Sequence, residues 1–431
     1  MTEAPHPTRA DLESLQLEQL RSLVAELFPA NKFYAHKLQS AGVTFDVSSS
    51  ADFSARFPFT LKSELVADQL AHPPFGTNLT YPLKRYTRCH QTSGTRGAPL
   101  RWLDTPESWE AMQECWMEVF RAVGVGAGDR VMFAFSFGPF LGFWLAYEAA
   151  ARVGALCLPG GGLSSAARLR MMHGNGVNVL CCTPTYALRL AEVAAEEKIA
   201  THTLGVKIII VAGEPGGSIP ATRAKLETLW PGARIFDHHG MTEVGPVSLE
   251  CPAKPGVLHV IEAAYYAEVI DPATGQPATR GELILTTLTR TGSPLLRYRT
   301  GDLVECRSQP AGGQMPACDC GRFDLALEGG ILGRVDDMII VRGVNIYPSA
   351  VEEIIRGFGE VAEYRVQVSA AQALTELRVE IEPVAGAATT ELAAQMERKF
   401  HQTFALRIPV SVVAAGTLPR FEMKAMRWVM A

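Results

Sequence analysis

Five short segments of this 431-residue chain combine residue types that chemistry uses. Thr92-Ser93-Gly94-Thr95-Arg96-Gly97-Ala98-Pro99 follows an extended run, Lys84–Cys89. Its glycines let backbone approach a ligand closely, and its hydroxyls and N–H groups can wrap phosphate oxygens. The same composition also suits a plain Ser/Thr/Gly turn. Asp237-His238-His239-Gly240-Met241-Thr242-Glu243-Val244-Gly245 follows a strand-like run and puts a hydroxyl and a carboxylate at a strand end, where a nucleotide and its magnesium would sit. Leu296-Arg297-Tyr298-Arg299-Thr300-Gly301-Asp302-Leu303 offers an acid just after a turn, suited to accepting two ribose hydroxyl protons. Gly333-Arg334-Val335-Asp336-Asp337 lies where the texture of the chain changes, and Leu418-Pro419-Arg420-Phe421-Glu422-Met423-Lys424 puts a single lysine near the C-terminus.

Two further groups stand out. Cys318-Asp319-Cys320 in a Gly/Pro-rich loop, with Cys251 and His259 upstream, offers three thiolates and an imidazole, the ligand count of a closed structural zinc site. Reduced loop thiols are the alternative, because the spacing is not that of a standard finger, and Cys306 is a substitute ligand. Phe133, Phe135, Phe137, Phe140, Phe143 and Trp144 cluster around Gly138 and Pro139, as either packed core or the wall of a flat pocket. Cys115, Cys157, Cys181 and Cys182 lie among apolar residues and read as packed thiols.

The elements that must position these groups follow from periodicity. Short apolar runs at Arg130–Phe135, Ala155–Leu158, Asn178–Cys182, Val206–Val211 and Ala233–Phe236 alternate with helix-length segments Phe143–Arg152, Ser165–His173 and Tyr186–Glu197. That alternation predicts a doubly wound, mostly parallel α/β sheet with its ligand site at the carboxyl ends of the strands. Extended segments Tyr265–Ile270, Gly281–Thr287 and Leu295–Tyr298 predict an antiparallel, β-barrel-like subdomain. After it come a helical pattern at Val351, Ile354, Ile355 and Phe358, a strand alternating Leu377, Val379 and Ile381 inward, and a helix stepping Leu392, Met396, Phe400 and Phe404. These predict a small α+β C-terminal domain.

Composition narrows the function classes. Lys plus Arg number 40 and Asp plus Glu 45, a net charge of −5 without a basic run, so neither nucleic acid nor an anionic membrane is the expected partner. The first twenty residues carry Glu3, Asp11, Glu13 and Glu18 and no apolar core, so no signal peptide is expected, and the location expected is cytoplasmic. Nine cysteines without a secretion signal read as reduced thiols or metal ligands.

In their order and spacing the five segments resemble the core motifs of the adenylate-forming superfamily of acyl- and aryl-CoA ligases, adenylation domains and luciferases. The phenylacetate-CoA ligase branch is most similar, through Met338-Ile339-Ile340-Val341-Arg342-Gly343-Val344-Asn345-Ile346-Tyr347-Pro348, Leu285-Thr286-Thr287-Leu288-Thr289 and Arg297-Tyr298-Arg299-Thr300. The resemblance implies an adenylation domain at 1–333, a hinge at 334–338 around Asp336 and a mobile C-terminal domain at 339–431. It implies that ATP, with Mg2+, activates an aromatic carboxylic acid as an acyl-adenylate, which coenzyme A then intercepts. The alternatives are transfer to a carrier-protein phosphopantetheine or an amine, or a nucleotide-binding protein that has lost catalysis.

By motif, the resemblance assigns Ser93, Gly94, Thr95, Arg96 and Gly97 to the β- and γ-phosphates, Thr242 to the α-phosphate and Glu243 to magnesium. Asp302 and Arg334 take the ribose, Lys424 bridges the α-phosphate and the attacking carboxylate, and Gly343 lines the pantetheine channel. Gly213, Glu214, His238, His239 and Gly240 complete the nucleotide site, while Phe135, Phe140, Ala212, His238 and Gly240 surround the acyl group. Some relatives of the branch have a similar Cys/His set, and a homodimer is common among similar proteins. The family loop usually has Thr at the position of Arg96 and Lys at that of Ala98, so one phosphate-facing charge has moved or been lost.

Overall fold

The computed structural model describes residues 6–92, 99–307, 316–342, 344–371, 374–384, 386–422 and 424–430. The chain packs as two compact units, Met1–Gly161 with His238–Gly330, and Gly162–Asp237 with Ile331–Ala431. Among the described residues no helix is long and apolar enough to cross a membrane.

The first unit opens with helix Arg9–Ala30, started by a reciprocal cap. The Asp11 N–H donates to Thr8 Oγ1 (3.3 Å) and the Thr8 N–H donates to Asp11 Oδ2 (2.9 Å). Leu20, Leu23, Val24 and Leu27 recur at helical spacing and bury one stripe against Tyr34, Leu38, Phe53 and Phe57. Each contributes about 1.5–3 kcal/mol of apolar burial. Strands Arg130–Phe133 and Leu156–Pro159 pair in parallel, Val131 opposite Cys157, with helix Leu141–Arg152 as the crossover.

Further along, Tyr265–Ile270, Arg280–Thr287 and Tyr298–Glu305 pair antiparallel, and Ser248–Glu250, Val257–Val260 and Ala326–Glu328 form a second antiparallel sheet. These are open sheets, so the barrel-like expectation is corrected: no barrel closes among the described residues. The expected extended run Leu295–Tyr298 is also displaced, since its strand begins only at Tyr298. Arg297 adopts φ +45°, and the N–H groups of Leu295 and Leu296 donate to side chains, Thr287 Oγ1 (2.9 Å) and Tyr34 Oη (2.8 Å), where a strand would use a neighbouring backbone.

In the second unit, strands Val179–Cys182, Ile208–Ala212 and Arg234–His238 lie in that order, the first two parallel with Val179 opposite Ile208. All four residues of Val179–Cys182 are buried, as a parallel strand covered on both faces requires. Helix Ser165–Asn175 precedes them and helices Pro184–Glu196 and Pro220–Leu229 connect them, so the βα alternation read from periodicity holds to within a few residues.

Residues 331–430 carry helix Pro348–Arg356, a hairpin of Val361–Ala371 with Leu374–Pro383, and helix Thr389–Phe404. Short parallel strands flank the hairpin, Val410–Val412 beside Leu374–Pro383 and Trp428–Met430 beside Val361–Ala371. Val366, Val379, Ile381, Met396 and Phe400 are wholly buried between sheet and helices. The last strand matters for chemistry, because it fixes the chain four residues after Lys424.

Candidate active site

Thr242 and Glu243 sit in the turn between the paired segments Gly240–Met241 and Gly245–Pro246. The turn is too tight for side chains at its ends. A Cβ on Gly240 would lie 2.7 Å from the Gly245 carbonyl, and Gly245 adopts φ +103° against Met112 Sδ. Arg290 holds the turn from beneath, donating from Nη1 to the carbonyls of Thr242 (2.9 Å) and Glu243 (3.0 Å). Its own charge is met by Asp104 in a bidentate pair, 2.7 and 2.8 Å, with both side chains at most 1% exposed. The Glu243 carboxylate is buried and takes Lys62 Nζ at 2.6 Å, with the Tyr298 hydroxyl at 3.5 Å. A carboxylate is the kind of oxygen ligand that Mg2+ takes, but here its charge is met by Lys62, which a metal ion would have to displace.

His239 and Asp302 meet, Nε2 to Oδ2 at 3.0 Å, and the Asp302 N–H donates to Thr300 Oγ1 (3.0 Å). His238 turns the other way, its Nδ1 donating to the Ser248 carbonyl (2.6 Å) and its ring packing on Trp116 at 4.1 Å. Burial pushes its pKa down to about 3, so the imidazole is neutral and cannot serve as a phosphate-neutralising cation.

The phenylalanines form one connected array. Phe135 stacks on Phe143 (4.0 Å, 19°) and meets Phe133 and Phe137 edge-on at 5.9 and 5.8 Å, while Phe140 lies 6.1 Å from Phe143. Phe133 and Phe135 are buried, whereas Phe137, Phe140 and Phe143 are half-buried, so the array is core at one end and wall at the other. Gly160 and Gly161 border it, since a Cβ there would meet the Phe133 carbonyl (2.7 Å) and the Phe137 ring (3.1 Å).

In the second unit Ala212 ends its strand and Gly213 turns at φ +94°, where an added Cβ would lie 3.6 Å from Lys424 Cε. Glu214 follows. One of its oxygens accepts the Thr185 N–H (3.0 Å) and the other the Ala425 N–H (2.8 Å). Its carboxylate therefore acts on backbone. Arg334 and Asp336 pair at 2.9 Å across the short turn Val335–Asp337, both substantially exposed.

Cys251, His259, Cys318 and Cys320 converge, with their ligand atoms all within 4.8 Å of one another. His259 Nδ1 donates to the Asp324 carbonyl (3.3 Å), which leaves the Nε2 lone pair facing the thiols, 3.4 Å from Cys320 Sγ. Burial lowers the His259 pKa and favours the neutral imidazole that a metal binds. Cys306 is not in the group. Ser93, Gly94, Thr95, Arg96, Gly97, Ala98 and Gly343 lie outside the described residues.

Asp104, Arg290 and Lys62 are site residues that sequence reading missed. Asp104 and Arg290 stand 186 positions apart, and no local pattern signals their pairing.

An AMP-binding enzyme family model matches residues 91–287, and an AMP-binding enzyme C-terminal domain model matches residues 343–430. The phenylacetate-coenzyme A ligase of Thermus thermophilus is 31% identical over 446 residues, covering 98% of this chain and 97% of that one. The ligase of the same name from Aromatoleum evansii is 32% identical over 380 residues, covering 86% and 82%. Among solved structures, 2-hydroxyisobutyryl-CoA ligase in the postadenylation state with 2-HIB-AMP superposes with a TM-score of 0.91 at 29% identity, covering 99% of this chain and 91% of that one.

Proposed function

The chain belongs to the phenylacetate-coenzyme A ligase family of AMP-binding enzymes, and from that premise we propose which residues carry its reaction and which acid it takes. It is an AMP-forming acid–coenzyme A ligase. A carboxylate attacks the α-phosphate of ATP to give an acyl-adenylate and pyrophosphate, and the thiol of coenzyme A then displaces AMP. The observation that carries this is the 31% identity to a phenylacetate-coenzyme A ligase along 98% of the chain.

The first step brings one anion onto another, so positioning and charge neutralisation dominate its barrier. In our reading Thr242 contacts the α-phosphate, with Arg290 fixing the carbonyls of Thr242 and Glu243. Asp302, held by His239, accepts the ribose hydroxyls with help from Arg334. Lys424 bridges the α-phosphate and the incoming carboxylate, the loop at Ser93–Gly97 cradles the outer phosphates, and Gly343 lines the channel for the coenzyme A arm. Glu243 would hold Mg2+, which supplies neutralisation of the phosphate charge. Asp336, exposed and paired with Arg334, is the hinge.

The acid we propose is aromatic. Phe135 and Phe140 belong to a ring array whose half-buried end offers a flat apolar wall. Cys251, His259, Cys318 and Cys320 would hold a structural zinc ion, since ligand atoms within 4.8 Å of one another suit a tetrahedral set of three sulfurs and one nitrogen.

Acyl-dependent ATP–pyrophosphate exchange over a panel of aromatic, fatty and amino acids tests the assignment, with aromatic acids expected to give the highest rates. Exchange with none of them would refute the aromatic ligase reading. Thioester formation with coenzyme A, compared with a phosphopantetheinylated carrier protein, identifies the acceptor, and coenzyme A is expected to be the better one.

A further inference from the structure

Lys424 itself lies outside any helix or strand, yet a lysine that must bridge two reacting anions needs a fixed origin. The structure supplies one on the C-terminal side of the lysine. The Ala425 N–H, part of the peptide bond that follows Lys424, donates to Glu214 Oε2 (2.8 Å). The other oxygen of that carboxylate accepts the Thr185 N–H in the first turn of helix Pro184–Glu196 (3.0 Å). Two residues further on, Arg427 Nη1 donates to Thr185 Oγ1 (3.2 Å). The same guanidinium pairs with Glu363 at 2.7 and 3.1 Å, and the Arg427 carbonyl accepts the Val366 N–H (2.8 Å) as the last strand begins.

Thr185 is therefore gripped from both sides, by Glu214 at its backbone and by Arg427 at its hydroxyl, and the segment 425–427 is stretched between those two contacts. Thr185, Glu363 and Arg427 are each at most 6% exposed, so this end of the arrangement is dry and its hydrogen bonds are directional. Glu214 is only half-buried and Lys424 is exposed, so the contact nearest the lysine is the one that water can replace. Gly213 borders the arrangement: its φ of +94° suits glycine, and an added Cβ would lie in ordinary contact with Lys424 Cε at 3.6 Å.

We propose that Glu214 is a positioning residue for Lys424, acting with Thr185 and Arg427 as a clip that sets the lysine for adenylate formation and is not needed for thioester formation. This rests on the reading that Lys424 acts in the first half-reaction. The asymmetry of the clip fits a contact that is made in one step and dispensable in the other. Glu214 meets the lysine segment through one hydrogen bond at a wet edge, whereas Arg427 and Glu363 form a buried pair.

Glu214→Gln tests the clip with little change in shape. A carboxamide keeps one acceptor oxygen, and its NH2 group must face one of the two backbone N–H groups, so one bond is lost. Acyl-dependent ATP–pyrophosphate exchange should fall about tenfold to a hundredfold, the scale expected for a misplaced reacting group, and should fall about tenfold more than thioester formation from a supplied acyl-adenylate and coenzyme A. Trypsin should cut the Lys424–Ala425 bond faster in native Glu214→Gln than in native wild type, because the amide of that bond has lost its acceptor.

Thr185→Val, which keeps the N–H and removes the acceptor of Arg427, should show the same split between half-reactions. It also serves if Glu214→Gln fails to fold. Equal losses in both half-reactions, or no loss in exchange, would overturn the clip. Lys424→Ala run alongside separates the two readings. If it does not lose exchange selectively, the role of the lysine is wrong. If it does, and Glu214→Gln and Thr185→Val do not, only the clip is wrong.

Discussion

Arg290 and Asp104, far apart in sequence and almost wholly shielded from water, form a bidentate pair beneath the turn that carries Thr242 and Glu243. The third guanidinium nitrogen reaches the two carbonyls of that turn, so one arginine ties a charge pair to the backbone geometry of the site. Removing one partner leaves a buried charge without compensation, which costs about 3–5 kcal/mol. Asp104→Ala should therefore destabilise the protein by about that amount in urea unfolding and reduce pyrophosphate exchange in the fraction still folded. A loss below about 1 kcal/mol would mean that water or another acceptor already serves Arg290.

The bond between His239 and Asp302 predicts how the nucleotide is discriminated. Asp302 is buried and its Oδ2 meets His239 Nε2, and in the proposed reading this carboxylate accepts the ribose diol. Wild type should prefer ATP to 2′-deoxy-ATP in the exchange reaction, because the analogue strands a buried acceptor. Asp302→Ala should raise KM for ATP and erase that preference. A preference that survives Asp302→Ala would move ribose recognition to another residue.

Much of this framework was legible in the sequence, for reasons that particular elements make plain. Val179–Cys182 is uniformly apolar because parallel strands bury both faces, and the alternation of Leu377, Val379 and Ile381 marks a strand with one face on a core. Thr242, Glu243, Asp302 and Lys424 stood out because a hydroxyl, acid or lysine sits at a strand end or turn in motif order. Other features had no local signal. The strand Val361–Ala371 opens with a register shift between Val361 and Glu363, and Glu363 is buried because Arg427 pairs with it. Trp428–Met430 is three residues long and owes its existence to a neighbour. Glu214 lay in the right segment, yet its role as an acceptor for two backbone N–H groups depends on residues 29 and 211 positions away.

His238 gives a pH dependence with a defined sign. Burial lowers its folded-state pKa from the ordinary 6.5 to about 3, so the unfolded chain binds a proton there that the folded chain does not. Its contribution to stability is complete above pH 6.5 and is lost as pH falls from that value towards 3, at about 1.4 kcal/mol per pH unit. His238→Gln should flatten the stability profile between pH 6.5 and 4, read from urea midpoints across that range. An unchanged slope would show that the imidazole is protonated in the folded protein.

The Cys251, His259, Cys318 and Cys320 cluster predicts a metal whose loss is read in stability and in no step of the chemistry. Val257–Val260 carries His259, the turn before it carries Cys251, and the Cys318–Cys320 loop has no regular element of its own, so a bound ion would join a sheet to a loop. His259 is already oriented for this by the Asp324 carbonyl, which fixes the proton on Nδ1 and frees Nε2. Purified protein should contain about one zinc per chain by elemental analysis. A strong chelator should lower the thermal midpoint, with the free-energy change reaching about 4 kcal/mol where free zinc stands a thousandfold above its Kd. Cys318→Ser should lose the metal and match the chelated wild type in stability, while Cys306→Ser retains it, since Cys306 lies outside the cluster. Metal-free protein of unchanged stability would leave the four residues as a packed set of thiols and an imidazole.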